Sequence, residues 1–189
     1  MGLIKEVLSQ KLRDQTVFTL SDLSLLVGYS GGRLRSALKY ATHNGDLMRI
    51  AKGIYALNNE YSRWEFGNKF RSPSCVSFYS VLQSEGVVFQ PYTSVFLASR
   101  RSEVVTIDGQ MYIYRKIKDE ILLNTLGVVT KDGVSVATIE RAICDKLYLD
   151  GDEYFDNLRS VDWEFMIKLN VEVYANNKVI EKYIGKNNV

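Results

Sequence analysis

Apolar residues at Leu3, Ile4, Val7, Leu8 and Leu12 fall on one helical face, which predicts an amphipathic helix over residues 2–14. After it, Thr19 is placed to cap a second helix over 20–27. Asp22 stands three residues on, at the positive end of that helix, and Phe18 can staple onto Leu23. Gly28-Tyr29-Ser30 breaks this helix, and Ser30 is a suitable cap for a third running to Asn44, with Gly45 as its left-handed exit. Asp46 to Ile50 and Ile54 to Leu57 then read as two short strands about Ala51-Lys52-Gly53, a basic hairpin.

The order of three helices and a hairpin predicts a winged helix-turn-helix over residues 1–60. On the third helix Leu34, Ala37, Leu38 and Ala41 form an inward stripe. Arg33, Ser36, Lys39, Tyr40 and His43 project from the other side, with Arg35 at its flank. A recognition helix needs such a face, offering donors to base edges while nearby cations meet phosphate, and Gly31 and Gly32 would let a backbone come close. Lys52 at the hairpin tip and Arg49 beside it are placed for phosphate or the minor groove. The expected DNA-binding residues are therefore Ser30, Arg33, Arg35, Ser36, Lys39, Tyr40, Arg49 and Lys52. A single short helix reads few base pairs, so specificity implies two copies on an inverted repeat of double-stranded DNA, the dimer forming on the duplex.

Behind this, Asn58-Asn59-Glu60 is a polar link, and Trp64, Phe66 and Phe70 form an aromatic cluster expected to pack the two domains together. Residues 61–189 predict a mixed α/β domain with an antiparallel-rich sheet and C-terminal helices, making the whole chain α+β. Its expected elements begin with a helix from Cys75 to Glu85 closed by Gly86, then strands at Val87–Phe89 and Val95–Leu97. The hairpin Val104–Ile107/Met111–Ile117 about Asp108-Gly109 is the clearest in the chain. Another surrounds Asp132-Gly133, joining Val128-Val129 to Val134–Val136. A helix capped by Thr138 follows, with further helices at Trp163–Leu169 and Val179–Tyr183.

Composition fits ordinary globular domains: 189 residues, 46% apolar, 24% charged. The net charge of +2 is unevenly spread. Residues 1–60 hold eight Lys/Arg against five acids and the remainder sixteen against seventeen, which turns the front end toward a polyanion. No apolar run approaches the ~20 residues of a membrane span and the charged N-terminal pattern is not that of a signal peptide, so a cytoplasmic protein with no membrane partner is expected. Two cysteines, Cys75 and Cys144, are too few for a disulfide scaffold and suit a reducing compartment.

Enzymatic chemistry finds little footing. A Ser or Cys nucleophile would recruit a His base, and the one histidine, His43, lies on the helix assigned to DNA, so no catalytic residue is expected. No zinc spacing occurs and no metal or cofactor is expected. Asp150-Gly151-Asp152 has the Asp-x-Asp spacing of a nucleotidyltransferase metal pair. No Gly-Ser element precedes it, and a polar helix-exit turn is the simpler reading. Arg141 and Asp145, at i and i+4, read as a surface ion pair.

The run from Phe18-Thr19-Leu20 through Gly45-Asp46-Leu47-Met48-Arg49-Ile50-Ala51-Lys52-Gly53-Ile54-Tyr55 resembles the N-terminal domain of the AbiEi antitoxins of type IV toxin-antitoxin systems. Pro73 to Leu82 looks like that family's motif opening the second domain, and Val136 to Leu149 like its later helix, with Ile139 where the family commonly has Pro after Thr. The resemblance spans residues 15–150. It implies a DNA-binding autorepressor of phage-defence type that counteracts an AbiEii-like nucleotidyltransferase toxin encoded beside it. Two other classes stay open: a stand-alone winged-helix regulator whose α+β domain senses a ligand, and a metal-dependent nuclease that uses its wing to hold substrate.

Overall fold

The computed structural model of the chain describes residues 4, 5, 8, 15–131 and 133–188. Most of the helix expected over 2–14 lies outside the described residues; Ile4, Lys5 and Leu8 within it are helical. The fold is α+β and divides into two compact units, Met1–Phe70 and Arg71–Val189.

The first unit joins helices α1 (Leu20–Val27), α2 (Gly31–His43) and α3 (Arg63–Phe70) to an antiparallel sheet of β1 (Val17–Thr19), β2 (Met48–Ala51) and β3 (Ile54–Ala56) in the order β1-β3-β2. Its core gathers Ile4, Leu8, Phe18, Leu23, Leu34, Leu38, Ala41, Leu47 and Tyr55. Leu34, Leu38 and Ala41 come from the inward stripe expected on α2, with Ala37 partly buried against them, because an amphipathic face can leave water only against its neighbours.

The division falls ten residues later than the polar link at residue 60. The reason is Glu65, which is only 1% exposed. Its carboxylate accepts from Thr16 N (2.9 Å), Thr16 Oγ1 (2.6 Å) and Val17 N (3.2 Å), and Lys69 Nζ donates to it at 2.9 Å. A buried carboxylate demands partners, and these tie α3 to β1. Phe66 and Phe70 stack with ring centroids 5.3 Å apart on the same helix.

The second unit holds a six-stranded mixed sheet in the order β6-β7-β5-β4-β9-β8, with β4 (Ser74–Val76), β5 (Val95–Ser99), β6 (Glu103–Ile107), β7 (Gln110–Lys116), β8 (Val128–Lys131) and β9 (Val134–Ala137). Three of its pairings are antiparallel; β5·β7 and β4·β9 are parallel. Helices α4 (Tyr79–Ser84), α5 (Asp119–Leu122), α6 (Ile139–Asp150), α7 (Trp163–Glu172) and α8 (Lys178–Asn187) complete it. Among the described residues no helix is long and apolar enough to cross a membrane.

Two expectations fail here. The helix read from Cys75 starts only at Tyr79, because Cys75 and Val76 belong to β4, the strand between β5 and β9. A short apolar run buried on both faces carries no period that separates strand from helix. Phe78, at φ 54, is the left-handed corner between the two elements. Val87–Phe89 is not a strand. Val87 N and Val88 N fold back onto Leu82 O at 2.8 and 3.1 Å, and Phe89 N is taken by the Asp156 carboxylate at 2.8 Å, leaving no ladder to join.

Helix α6 is buried continuously from Glu140 to Leu147. Thr138 caps it, its hydroxyl accepting from Arg141 N at 3.3 Å. Arg141 and Asp145, read from the sequence as a surface pair, are 3% and 2% exposed, which corrects that reading. Arg141 donates to the carbonyls of Ile121 and Leu126, both at 2.6 Å, and so fastens the chain around α5; its Nε stands 3.5 Å from Asp145. Asp145 accepts the hydroxyls of Ser77 and Tyr174, each at 2.7 Å. Burial pushes the Asp145 carboxyl above the usual carboxylate range, against the opposing pull of Arg141 and the two hydroxyls.

Asp150 ends α6 and Gly151 follows at φ 89 in the exit turn. Arg115 grips Asp150 in bidentate fashion at 2.5 and 2.6 Å, and Lys146 reaches both Asp150 (2.7 Å) and Glu153 (2.6 Å). Asp152 instead faces Lys186 at 3.9 Å. The two aspartates thus face different cations.

Candidate nucleic-acid interface

In the first unit, local chemistry sets the angle between α1 and α2. Thr19 and Asp22 form a reciprocal capping box: Asp22 N donates to Thr19 Oγ1 (3.2 Å) and Thr19 N to Asp22 Oδ2 (2.8 Å). Asp22 is held below the usual carboxylate range; its partial burial opposes this, but the Thr19 amide and hydroxyl and Lys69 outweigh it. At the other end Gly28 takes the left-handed conformation, φ 67 and ψ 17, that lets its N–H close on Ser24 O at 3.0 Å. The Ser24 hydroxyl then donates to Tyr29 O at 2.7 Å, which fixes the turn.

Ser30 stands at the cap position of α2 in extended backbone, but its side chain makes no capping bond, contrary to the role expected of it; the hydroxyl is left at the surface. On α2, Leu34, Leu38 and Ala41 are buried while Arg33, Arg35, Ser36, Lys39, Tyr40 and His43 are exposed. Tyr40 keeps 67% of its surface in solvent. No acid stands on this helix, so its outward face is uniformly cationic or neutral.

The chain leaves α2 through Gly45, at φ 75, and Asp46 N and Leu47 N both donate to Ala41 O at 2.8 and 3.3 Å. The hairpin β2–β3 therefore starts directly beneath the helix end. A register shift lies between Arg49 and Ala51 opposite β3, and Arg49 Nε donates to Ala51 O at 3.4 Å. The hairpin tip is pinned, because Leu20 N donates to Gly53 O at 3.1 Å. Arg49 and Lys52 are exposed beside that anchor.

All eight residues singled out in the sequence are thus on the surface of one unit, six on or beside α2 and two on the hairpin. A shallow cleft beside them is lined by Leu20, Ser24, Leu25, Ser30, Gly31 and Arg35, with Leu25 86% exposed. One contact escaped the sequence reading: the Arg33 guanidinium carbon sits 3.9 Å from the centroid of the Tyr29 ring. The four-residue spacing was visible, but Tyr29 lies before the helix, where helical spacing says nothing about proximity. No family model and no curated protein matches the chain.

Proposed function

We propose that the protein is a sequence-specific, double-stranded-DNA-binding repressor of the AbiEi antitoxin type, using a winged helix-turn-helix in its first unit and a partner-directed second unit. The observation that carries this reading is the exposed, acid-free face of α2, flanked by the cationic hairpin and set on its own core. Basic side chains spread over one helix and one hairpin are the electrostatic footprint of phosphate contact. Supporting the antitoxin part is the resemblance of Pro73 to Leu82 and Val136 to Leu149, both in the second unit, to that family's motifs. The partner in that role is a nucleotidyltransferase toxin of AbiEii kind, and the binding form on DNA is a dimer on an inverted repeat.

The test is titration of the full chain against duplex DNA by fluorescence anisotropy over a range of salt. Each neutralised phosphate contributes a slope of about −0.9 in log K against log salt, so the five cations Arg33, Arg35, Lys39, Arg49 and Lys52 should give a slope steeper than about −3. Affinity and slope unchanged after all five are replaced by Ala would sink the DNA reading. The antitoxin role is checked separately by growth rescue in cells expressing the nucleotidyltransferase encoded beside the gene, with failure of rescue excluding it.

A further inference from the structure

Among the exposed cations of the first unit, Arg33 differs from the rest. Its guanidinium lies 3.9 Å over the Tyr29 ring. Tyr29 is itself fixed: it packs partly buried against the core of the first unit and its carbonyl is held by the Ser24 hydroxyl. A guanidinium stacked on an aromatic face is restrained in orientation yet keeps its in-plane N–H donors free. Among the described residues no acceptor takes a hydrogen bond from them. Arg35, Lys39 and Lys52 have no such aromatic platform among the described residues, and Arg49 turns its Nε back to the hairpin.

The neighbouring Gly32 is equally distinctive. A Cβ built there would meet nothing within 4 Å, and its φ is not in the left-handed range, so the packing of the unit gives no reason for a glycine. Gly32 is the second residue of α2, where glycine still carries part of the stability loss relative to alanine that it has in a helix interior. At 100° per residue Gly32 shares the outermost stripe of α2 with Ser36, Lys39 and His43, where a missing side chain opens room only for something arriving from outside.

We propose that Arg33, held over the Tyr29 ring, is the specificity-determining residue of the interface and reads a guanine in the major groove through paired bonds to O6 and N7, with the bare Gly32 letting the base edge approach. Arg35, Lys39, Arg49 and Lys52 meet phosphates. This rests on the DNA-binding reading above and adds to it the identity of a base and of its reader. Arginine suits guanine because its fork matches the two acceptors, and each such pair discriminates against other bases by roughly fivefold to a hundredfold. The stacked ring lowers the conformational freedom lost on binding.

The experiment selects duplexes from a random-sequence pool with the full-length wild type, Arg33→Lys, Tyr29→Phe and Gly32→Ala, then measures each protein on the selected duplex and on an unselected one. Wild type and Tyr29→Phe should enrich a guanine in each half-site. Arg33→Lys, which keeps the charge, should bind unselected duplex within about twofold of wild type with the same salt slope. On the selected duplex it should lose roughly tenfold or more. Replacing the guanine by 7-deazaguanine should weaken wild type and leave Arg33→Lys unmoved. Gly32→Ala should raise the thermal midpoint while lowering affinity for the selected duplex. Salt-dependent binding with no enriched guanine, or an Arg33→Lys variant that selects the same sequence, overturns the assignment of Arg33 while leaving the DNA reading standing. Absence of salt-dependent binding by any of the proteins overturns both.

Discussion

The Ser77 hydroxyl donates to the Asp145 carboxylate at 2.7 Å across 68 positions of sequence, joining the residue that follows β4 to the middle of α6. Tyr174 brings a second hydroxyl from beyond α7, and Arg141 links the same carboxylate to the carbonyls around α5. One acid therefore ties four separate stretches of the second unit. Removing it leaves a buried guanidinium without its counter-charge, which costs about 3 kcal/mol or more. Ser77→Ala, which removes one donor and leaves the carboxylate its other partners, should cost about 1–2 kcal/mol. Urea unfolding of the full chain measures both; an Asp145→Ala loss no larger than that of Ser77→Ala would show that the network does not hold the unit together.

Acid should loosen the other end of α6. The hydrogen bonds of Arg115, joined by those of Lys146 and working against partial burial, hold the Asp150 carboxyl at about 2 instead of 3.8. A carboxyl depressed in the folded state contributes stability above its ordinary value and loses that contribution as pH falls through the folded one. Asp150→Asn should thus be less stable than wild type at neutral pH, by about 1 kcal/mol once solvent screening of this exposed group is allowed for. The gap should close between about pH 4 and pH 2. A gap that persists undiminished at the acid end would mean that the lost interaction is not electrostatic.

The elements that were legible in the sequence are those whose signals are local. Thr19 with Asp22, Gly28, Gly45 and Thr138 are caps and exits read within a few residues, and Asp108-Gly109 is a hairpin turn joining β6 to β7. What escaped depends on distant partners. Strand β1 has three residues and exists because β3 pairs with it. The i,i+4 spacing of Arg141 and Asp145 is the same on a surface or in a core, and only Ile121, Leu126, Ser77 and Tyr174 decide which. Nothing local marks Glu65, between Trp64 and Phe66, as the acid that binds the chain at Thr16, 49 positions earlier. For the candidate interface, helical spacing alone separated the exposed side chains of α2 from the buried ones. It did not reveal that Tyr29 holds Arg33.

The hairpin and the helix should contribute differently to DNA binding. Lys52, exposed beside the pinned tip of β2–β3, is assigned to phosphate, so Lys52→Ala should weaken binding to all duplex sequences alike and flatten the salt slope by about one unit. Anisotropy titrations on two unrelated duplexes decide this. A loss confined to one sequence would place Lys52 against a base and not the backbone.

The two units should also separate by function. Arg33 and Arg35 are exposed on α2, outside the core of the first unit and absent from the second, so on the proposed function replacing both by Ala should remove contacts to DNA without disturbing either fold. Excess positive charge is likewise confined to the front of the chain: residues 71–189 hold fourteen Lys/Arg against sixteen acids, leaving the second unit no electrostatic bias toward a polyanion. If the proposed function holds, the Arg33→Ala, Arg35→Ala protein should therefore lose repression of a promoter reporter and keep full growth rescue against a nucleotidyltransferase toxin. Asp145→Ala, aimed at the network inside the second unit, should do the reverse wherever enough first unit remains folded to bind DNA. Both variants are run in the two assays side by side, with circular dichroism to establish that each is folded. Should the folded double-arginine variant lose rescue along with repression, toxin neutralisation would have to pass through the DNA-binding face, and the assignment of separate tasks to the two units would fall.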